Sequence, residues 1–186
     1  MLSQFPELET QNLILRQVNQ SDSRDIFQHF SDKEVLKYHD LEALTNLEQA
    51  QELIKSFDEK FKNNQMIRWG IAKKENNIII GTCGYHNWLQ KSFQAEIGYE
   101  LSQVYWQKGI MTEALTTIIK FGFEKMELNR ISATVMLDNI ASMKLLDKLG
   151  FEEEGVLREY GFWKGEFHDL KMFALLKKEA LQYIKG

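Results

Sequence analysis

"YWQKGIMTEALTTIIKFGFEKM", Tyr105 to Met126, reads as an apolar helix that begins with almost no capping side chain. From Met111 onward, apolar or small residues recur at Ala114, Leu115, Ile118, Ile119, Gly122, Phe123 and Met126. That spacing is the core-facing stripe of an amphipathic helix. The first turn differs. Gly109 stands where the turn should form, Lys108 precedes it, and Thr112 and Glu113 follow. A helix N-terminus presents unpaired N–H groups and the positive end of the helix dipole. Gly109 therefore has two readings. One is a tight strand-to-helix turn. The other is a seat for a phosphate on the amides from about Lys108 to Thr112, where glycine lets the backbone come close. Taken alone, the segment fits the plain turn better. A P-loop and a dinucleotide fingerprint are excluded, because neither glycine spacing occurs at the required place.

Outward from this helix, "QAEIGYELSQV" before it and "RISATVM" after it read as strands. "DNIASMKLLDKLG" is a helix with Leu145, Leu146 and Leu149 on one face and Gly150 just past its end. "FEEEGVLREYGFW" and "EFHDLKMFALLKK" form a hairpin with Lys164–Gly165 near its tip. Upstream, "NLILRQV" alternates like a strand. Ser21 looks like the N-cap of a short helix, and Thr45 and Glu48 have capping-box spacing before "LEQAQELIKSFDEKF". "IRWGIAKK" and "NIIIGTCGYHNW" are two strands joined at "ENN". The order is strand, two helices, three strands, helix, strand, helix, two strands. It predicts an α/β chain with a mixed sheet, because meander strands precede a strand–helix–strand crossover.

The totals bound the rest. The chain has 186 residues and a single proline, Pro6, with no repeat or linker, so residues 1–186 are read as one domain. No stretch reaches the apolar length of a membrane span, and the start lacks a signal peptide's pattern. Cys83 is the only cysteine, which leaves no internal disulfide and points to a cytoplasmic setting. The formal net charge of −4, with both signs interspersed, argues against direct nucleic-acid binding. No cluster has metal-ligand spacing. His168 and Asp169, adjacent in a strand, point to opposite faces. Nothing orients a third member beside Cys83 and His86, so a buried strand cysteine is the simpler reading.

The segments read together change the weight on Gly109. "AEIGYELSQVYWQKGIMTEAL", "RISATVMLDNIASMKLLDKLGFEEEG" and "FHDLKMFALLKKE" resemble the GNAT superfamily of N-acetyltransferases, and within it the RimJ/RimL branch that acetylates ribosomal-protein N-termini. "LETQNLILRQV" resembles the first strand of that branch, and the likeness spans about residues 8–178. The resemblance implies the GNAT acyl-CoA N-acyltransferase fold: a mixed, mostly antiparallel central sheet with splayed strands, flanked by helices. It implies acetyl-CoA as cosubstrate and no metal. Its diphosphate would sit on Trp106, Gln107, Lys108, Gly109, Ile110, Met111 and Thr112. The superfamily pattern has Gln or Arg at the first position of this loop and a small residue at the last. This chain has Trp106, familiar in the branch, and Met111, a departure that bears on how closely the phosphate packs.

The resemblance further implies that the pantetheine arm enters between the strand Glu96–Leu101 and "RISATVM". The Leu101 amide is then the donor that polarises the thioester carbonyl, as in an oxyanion hole. Asn139 and Ser142 lie three apart on the next helix and can face one ligand. Asn139 would bond the pantetheine, and Ser142 would protonate the departing thiolate. The plainer alternatives are an N-cap for Asn139 and a surface hydroxyl for Ser142.

An amine attacks only when neutral, so a proton acceptor is required. Glu159 in "LREYGFW" matches the branch's glutamate base, with a solvated hairpin glutamate as the alternative. Glu96 and Glu100 share one strand face and are the other candidate bases. Tyr38, His39, Glu100, Tyr160, Phe162 and Trp163 are the candidate substrate contacts, against plain aromatic packing in the loops. The expected function is acetyl transfer by direct attack of a primary amine, foremost a ribosomal-protein N-terminus. The alternatives are a small-molecule amine (polyamine, amino sugar or amino-acid derivative) and a non-catalytic acyl-CoA binder. Oligomeric state stays open, a homodimer included.

Overall fold

The computed structural model describes residues 4–184, with side chains through residue 180. Eight strands form one sheet: β1 (Leu8–Glu9), β2 (Leu13–Gln17), β3 (Ile67–Lys73), β4 (Ile79–Leu89), β5 (Gln94–Leu101), β6 (Arg130–Met136), β7 (Glu152–Trp163) and β8 (Glu166–Leu176). Their spatial order is β1-β2-β3-β4-β5-β6-β8-β7. Every pairing is antiparallel except β5 with β6. Five α-helices accompany them: α1 (Ser23–Phe30), α2 (Leu47–Lys62), α3 (Ile110–Glu124), α4 (Ile140–Lys148) and α5 (Lys177–Ile184).

Helices cover the sheet on both faces because the strands bury residues of both parities. On one face the α3 stripe Met111, Ala114, Leu115, Ile118 and Ile119 packs with Leu146 of α4 against Trp69, Tyr85, Ile97 and Ile131. On the other, Ile26 and Phe30 of α1 and Ala50 and Ile54 of α2 pack on Val18, Ala72 and Ile79. Cys83 lies fully buried in the first core, where burial pushes its thiol up to about 12. That excludes a thiolate near neutral pH.

Two helix starts differ from the sequence reading. Ser21 is not the N-cap of α1. Asn19 and Asp22 form a capping box around a short 3₁₀ turn, and α1 begins at Ser23. Asp22 is also held by the Arg16 guanidinium at 2.8 Å, which takes it out of the helix. At α2 the cap is Asn46, whose side chain accepts from the Gln49 amide, while the Gln49 side chain reaches back to the Thr45 amide at 2.7 Å. The box sits one residue later than the Thr45–Glu48 spacing suggested. The short β1 and the helix α5 were not foreseen.

The C-terminal half follows its sequence signals closely. Gly150, at φ +84°, ends α4 with paired bonds from Gly150 N to Asp147 O and from Phe151 N to Leu146 O. The β7–β8 hairpin turns on Lys164–Gly165, both at positive φ.

Candidate active site

The site begins where a pairing stops. β5 and β6 are joined only through Gln94, Ala95 and Glu96, opposite Arg130, Ile131 and Ser132. Beyond them the two strands part, and their facing edges lack a sheet partner from Ile97 and Ala133 onward. Ser102 N donates to Ile80 O at 2.9 Å. By the alternation of a strand, the Leu101 N–H therefore faces the other way, into the opening. The Leu101 carbonyl on that edge is taken by the Trp106 indole N–H at 2.6 Å. Trp106 thus pins the following loop to the end of β5.

That loop leads into α3. Gly109 is the N-cap residue, at φ +78°, and no side chain caps the helix. The left-handed backbone is the local reason for glycine, since any other L-residue pays about 1–2 kcal/mol there. A Cβ at 109 would meet nothing within 4 Å. The first-turn amides of Ile110, Met111 and Thr112 have no side-chain cap, and Lys108 and Gly109 beside them are exposed. Glu113, one turn in, is engaged elsewhere. Its carboxylate accepts from Thr10 Oγ1 and from the Asn12 amide at 2.8 Å, tying the start of β2 to α3.

On the far wall, Asn139 Oδ1 accepts from Ser142 N at 3.1 Å and caps α4. The cap uses only the oxygen, so the Asn139 NH₂ group is free to serve the cleft that the residue lines. Ser142 Oγ shares a 2.7 Å hydrogen bond with the Tyr99 hydroxyl, and burial raises Tyr99 to about 12. This pairing bridges β5 and α4 across the opening.

The opening widens into a cleft of about 480 Å³. Tyr38 and His39 line it from the loop between α1 and α2, and Tyr160, Phe162 and Trp163 line it from the hairpin. The two walls are tied where Lys164 Nζ donates to Leu36 O at 2.9 Å. Those five expected substrate contacts therefore share one cavity. Glu100 does not join them. It is 5% exposed, and its carboxylate is taken by the Arg68 guanidinium and the Thr82 hydroxyl. Burial opposes its charge most strongly, but Arg68, His39 and His29 together outweigh burial and hold the carboxyl below its ordinary range. His39 lies nearby, lowered by burial against the pull of Glu100.

Glu159 sits on a bulge of β7 at φ +50°, exposed, with its amide donating to Asp169 Oδ1 at 2.7 Å. It lines a shallow depression with Arg158 and Asp169, next to the wall that Tyr160 gives to the main cleft. Glu96 lies inside the main cleft. It receives Thr134 Oγ1 at 2.5 Å and Asn87 Nδ2 at 3.1 Å, with His86 Nε2 at 3.7 Å. Burial opposes its ionisation, but these donors prevail and hold the carboxyl at about 2. Sequence reasoning named Glu96 without these partners. It did not name Thr134, Asn87 or Tyr99, which the register of three strands and the placing of α4 bring in. Among the described residues no His, Cys, Asp and Glu group could hold a metal ion, and no helix is long and apolar enough to cross a membrane.

A free strand edge facing a parting strand can pair with an extended amide chain, and an uncapped helix start can hold an anion. Acetyl-CoA carries both, on a pantetheine arm and a diphosphate, so the residues present fit it. Comparison with known proteins agrees. The pattern of the acetyltransferase (GNAT) domain matches residues 12–152. The uncharacterized N-acetyltransferase YoaA of Bacillus subtilis is 41% identical over 173 residues, 93% of this chain and 98% of that protein. The [ribosomal protein uS5]-alanine N-acetyltransferase of Escherichia coli is 34% identical over 119 residues, 63% of this chain and 61% of that protein. RimL, a ribosomal L7/L12 alpha-N-protein acetyltransferase solved with coenzyme A, superimposes with a TM-score of 0.84 at 20% identity, over 92% of this chain and 98% of that one. The chain thus belongs to the GNAT family and is an acetyl-CoA-dependent N-acetyltransferase, with ribosomal-protein N-acetyltransferases of the RimJ/RimL kind among its relatives.

Proposed function

We propose that this N-acetyltransferase acts in the cytoplasm on the α-amino group of a protein N-terminus, a ribosomal protein foremost. The observation that carries the reading is the cleft at the wide end of the β5–β6 opening, floored by unpaired strand and walled by the 31–46 loop and the β7–β8 hairpin. It admits an extended chain end to the point where an acyl group would be presented. The likeness to the uS5-alanine enzyme supports the acceptor class.

Acetyl-CoA supplies an acyl group activated as a thioester. The chain's own groups bind and orient it. The amides of Gly109, Ile110, Met111 and Thr112, with Gln107 and Lys108 beside them, receive the diphosphate. Trp106 acts indirectly, by fixing the loop through Leu101 O. The Asn139 NH₂ donates to the pantetheine, and the Leu101 N–H points where negative charge develops on the acyl oxygen. Ser142, backed by the Tyr99 hydroxyl, would give a proton to the leaving sulfur. Because a thiol is a good leaving group, with an ordinary pKa of about 8.5, this donor matters modestly. Tyr38, His39, Tyr160, Phe162 and Trp163 contact the acceptor.

The test is acetyl-CoA-dependent thiol release against N-terminal peptides of ribosomal proteins, polyamines, amino sugars and free amino acids. Turnover with the peptides alone is expected. Turnover confined to a small amine transfers the assignment to that class. Tight acetyl-CoA binding with no turnover for any amine would leave a non-catalytic binder.

A further inference from the structure

The acceptor reaches the cleft as an ammonium and must lose a proton there. Two carboxylates in or beside this region are poorly suited to take it. Glu100 is buried and fully engaged by Arg68 and Thr82. Glu96 is ringed by donors and held at about 2, several pH units below any alkylammonium. Glu159 lies outside the lining of the main cleft. The remaining wall includes a group with no role so far. His86 lies on β4 directly opposite Glu96 on β5. Its ring is half-buried, with Nε2 turned to the Glu96 carboxylate at 3.7 Å.

Gly98, two residues along β5 on the same face, explains how the ring fits. A Cβ at 98 would stand 3.2 Å from His86 Cε1, 3.4 Å from its Nδ1 and 3.2 Å from Arg68 Nη1. Any side chain at 98 would press on both groups, so the glycine lets the imidazole and the guanidinium pack over β5, and both His86 and Gly98 are part of the cleft wall. With Nε2 facing Glu96 at 3.7 Å, Nδ1 is the ring nitrogen on the Gly98 side of the cleft wall. An imidazole is the side chain whose ordinary range lies closest to neutral pH, as efficient proton transfer requires. Beside the ring stand Glu96 on β5 and Arg68 on β3, and the titratable groups that share its cleft are Tyr38, His39 and Asp40 on the facing loop, Tyr99 on β5 and Tyr160 on β7.

The geometry points to His86 as the proton acceptor of the reaction, taking the ammonium proton on Nδ1 while Glu96 positions the ring and stabilises the imidazolium. This rests on the acetyl-transfer reading above and adds a residue to it. The balance is simple. The ammonium proton moves to Nδ1, and the amine lone pair forms the C–N bond as the C–S bond breaks. Ser142 gives its proton to the departing sulfur and takes the second nitrogen proton in its place, and His86 returns its proton to solvent. Glu96 is here a positioning residue, and Thr134 and Asn87 hold Glu96.

The experiment pairs kinetics with a measurement on the free protein. Long-range ¹H–¹⁵N spectra of the ¹⁵N-labelled protein should show the uncharged His86 ring carrying its proton on Nε2. With an acceptor from the panel, His86→Gln should lower kcat/KM on the order of a hundredfold or more and remove the acidic limb of its pH profile. Glu96→Gln should move that limb to lower pH. In His86→Ala, added imidazole should restore part of the rate, which a merely structural histidine would not allow. A limb that survives in His86→Gln, or that vanishes only in Glu159→Gln, overturns the assignment, as does a ring protonated on Nδ1. Acetyl-CoA binding without turnover in the unmodified protein would sink the transferase reading instead, and the spectra would still decide the state of His86.

Discussion

His29 is the most exacting residue in the structure outside the cleft. It is 1% exposed, its Nδ1 shares a 3.1 Å hydrogen bond with Ser102 Oγ, and its Nε2 has no partner among the described residues. Burial, opposed by Glu100 and Asp32 and assisted by Arg68 and His39, lowers it from 6.5 to about 4. Between those values the unfolded chain binds the proton and the folded chain does not. Stability therefore falls as pH drops from 6.5 toward 4, and is fully present above 6.5. A lowering from 6.5 to about 4 corresponds to roughly 3 kcal/mol. Urea unfolding at pH 7 and pH 4.5 should show that loss, and His29→Phe should flatten most of it, with His39 leaving a residual slope. An unchanged slope in the variant would contradict the account. Glu96 acts in a separate window, since its contribution is lost only as pH falls from 4.5 toward about 2.

Gly109 makes a second prediction at this scale. Gly109→Val places a β-branched side chain at φ +78° and fills the open space over the helix start. Acetyl-CoA affinity should fall at least tenfold by calorimetry, while the melting temperature falls only by the few degrees that about 1–2 kcal/mol allows. Equal affinity would remove the diphosphate from this turn. Gly109 was legible in the sequence because a breaker ahead of an uninterrupted apolar stripe is a local signal. His86 was not. Its meaning depends on lying opposite Glu96 across a strand pair whose register shifts between His86 and Leu89.

Among the elements, α4 separates stability from binding most cleanly. Asn139 caps the helix with its oxygen and offers the cleft its nitrogen. Asn139→Ala removes both, and should cost about 1 kcal/mol and a few degrees of melting temperature. Asn139→Asp keeps the cap acceptor and loses the donor. It should retain the thermal stability while weakening acetyl-CoA binding, and a loss of stability equal to that of the alanine variant would count against the division of labour. The ends of this helix were readable because its signals are local, with Asn139 before the apolar run and Gly150 after it. The starts of α1 and α2 moved because polar neighbours compete for the same amides. Asp22 answers to Arg16 as well as to the helix, and Asn46 stands one residue closer to its helix than Thr45.

For the molecule as a whole, the element order predicted a mixed sheet, and the structure has one with a single parallel pairing. The order could not reveal where that pairing ends. Ile97 to Leu101 alternates like any strand, and only the divergence of its neighbour leaves it with an unpaired edge. The two-residue β1 carries no periodicity to read, and α5 is hidden at the end of a strand pattern. Hydrogen exchange should register the open edge. The amides of Tyr99 and Leu101 should exchange faster than that of Ser102, which is bonded to Ile80, and should become protected when coenzyme A is added. No change on addition would mean that the arm does not lie along β5.

The bulges of β7 reach beyond the site that one of them shapes. A sheet rim with free amides invites a strand from another chain, the first step of fibril growth. One rim here is only two residues long. The other is interrupted twice, at Gly155 and again between Leu157 and Gly161, and begins with three exposed glutamates, Glu152, Glu153 and Glu154. Neither rim can template a continuous ladder. The protein keeps an unpaired strand in its interior while denying one at its margins, so aggregation by edge addition should require prior unfolding.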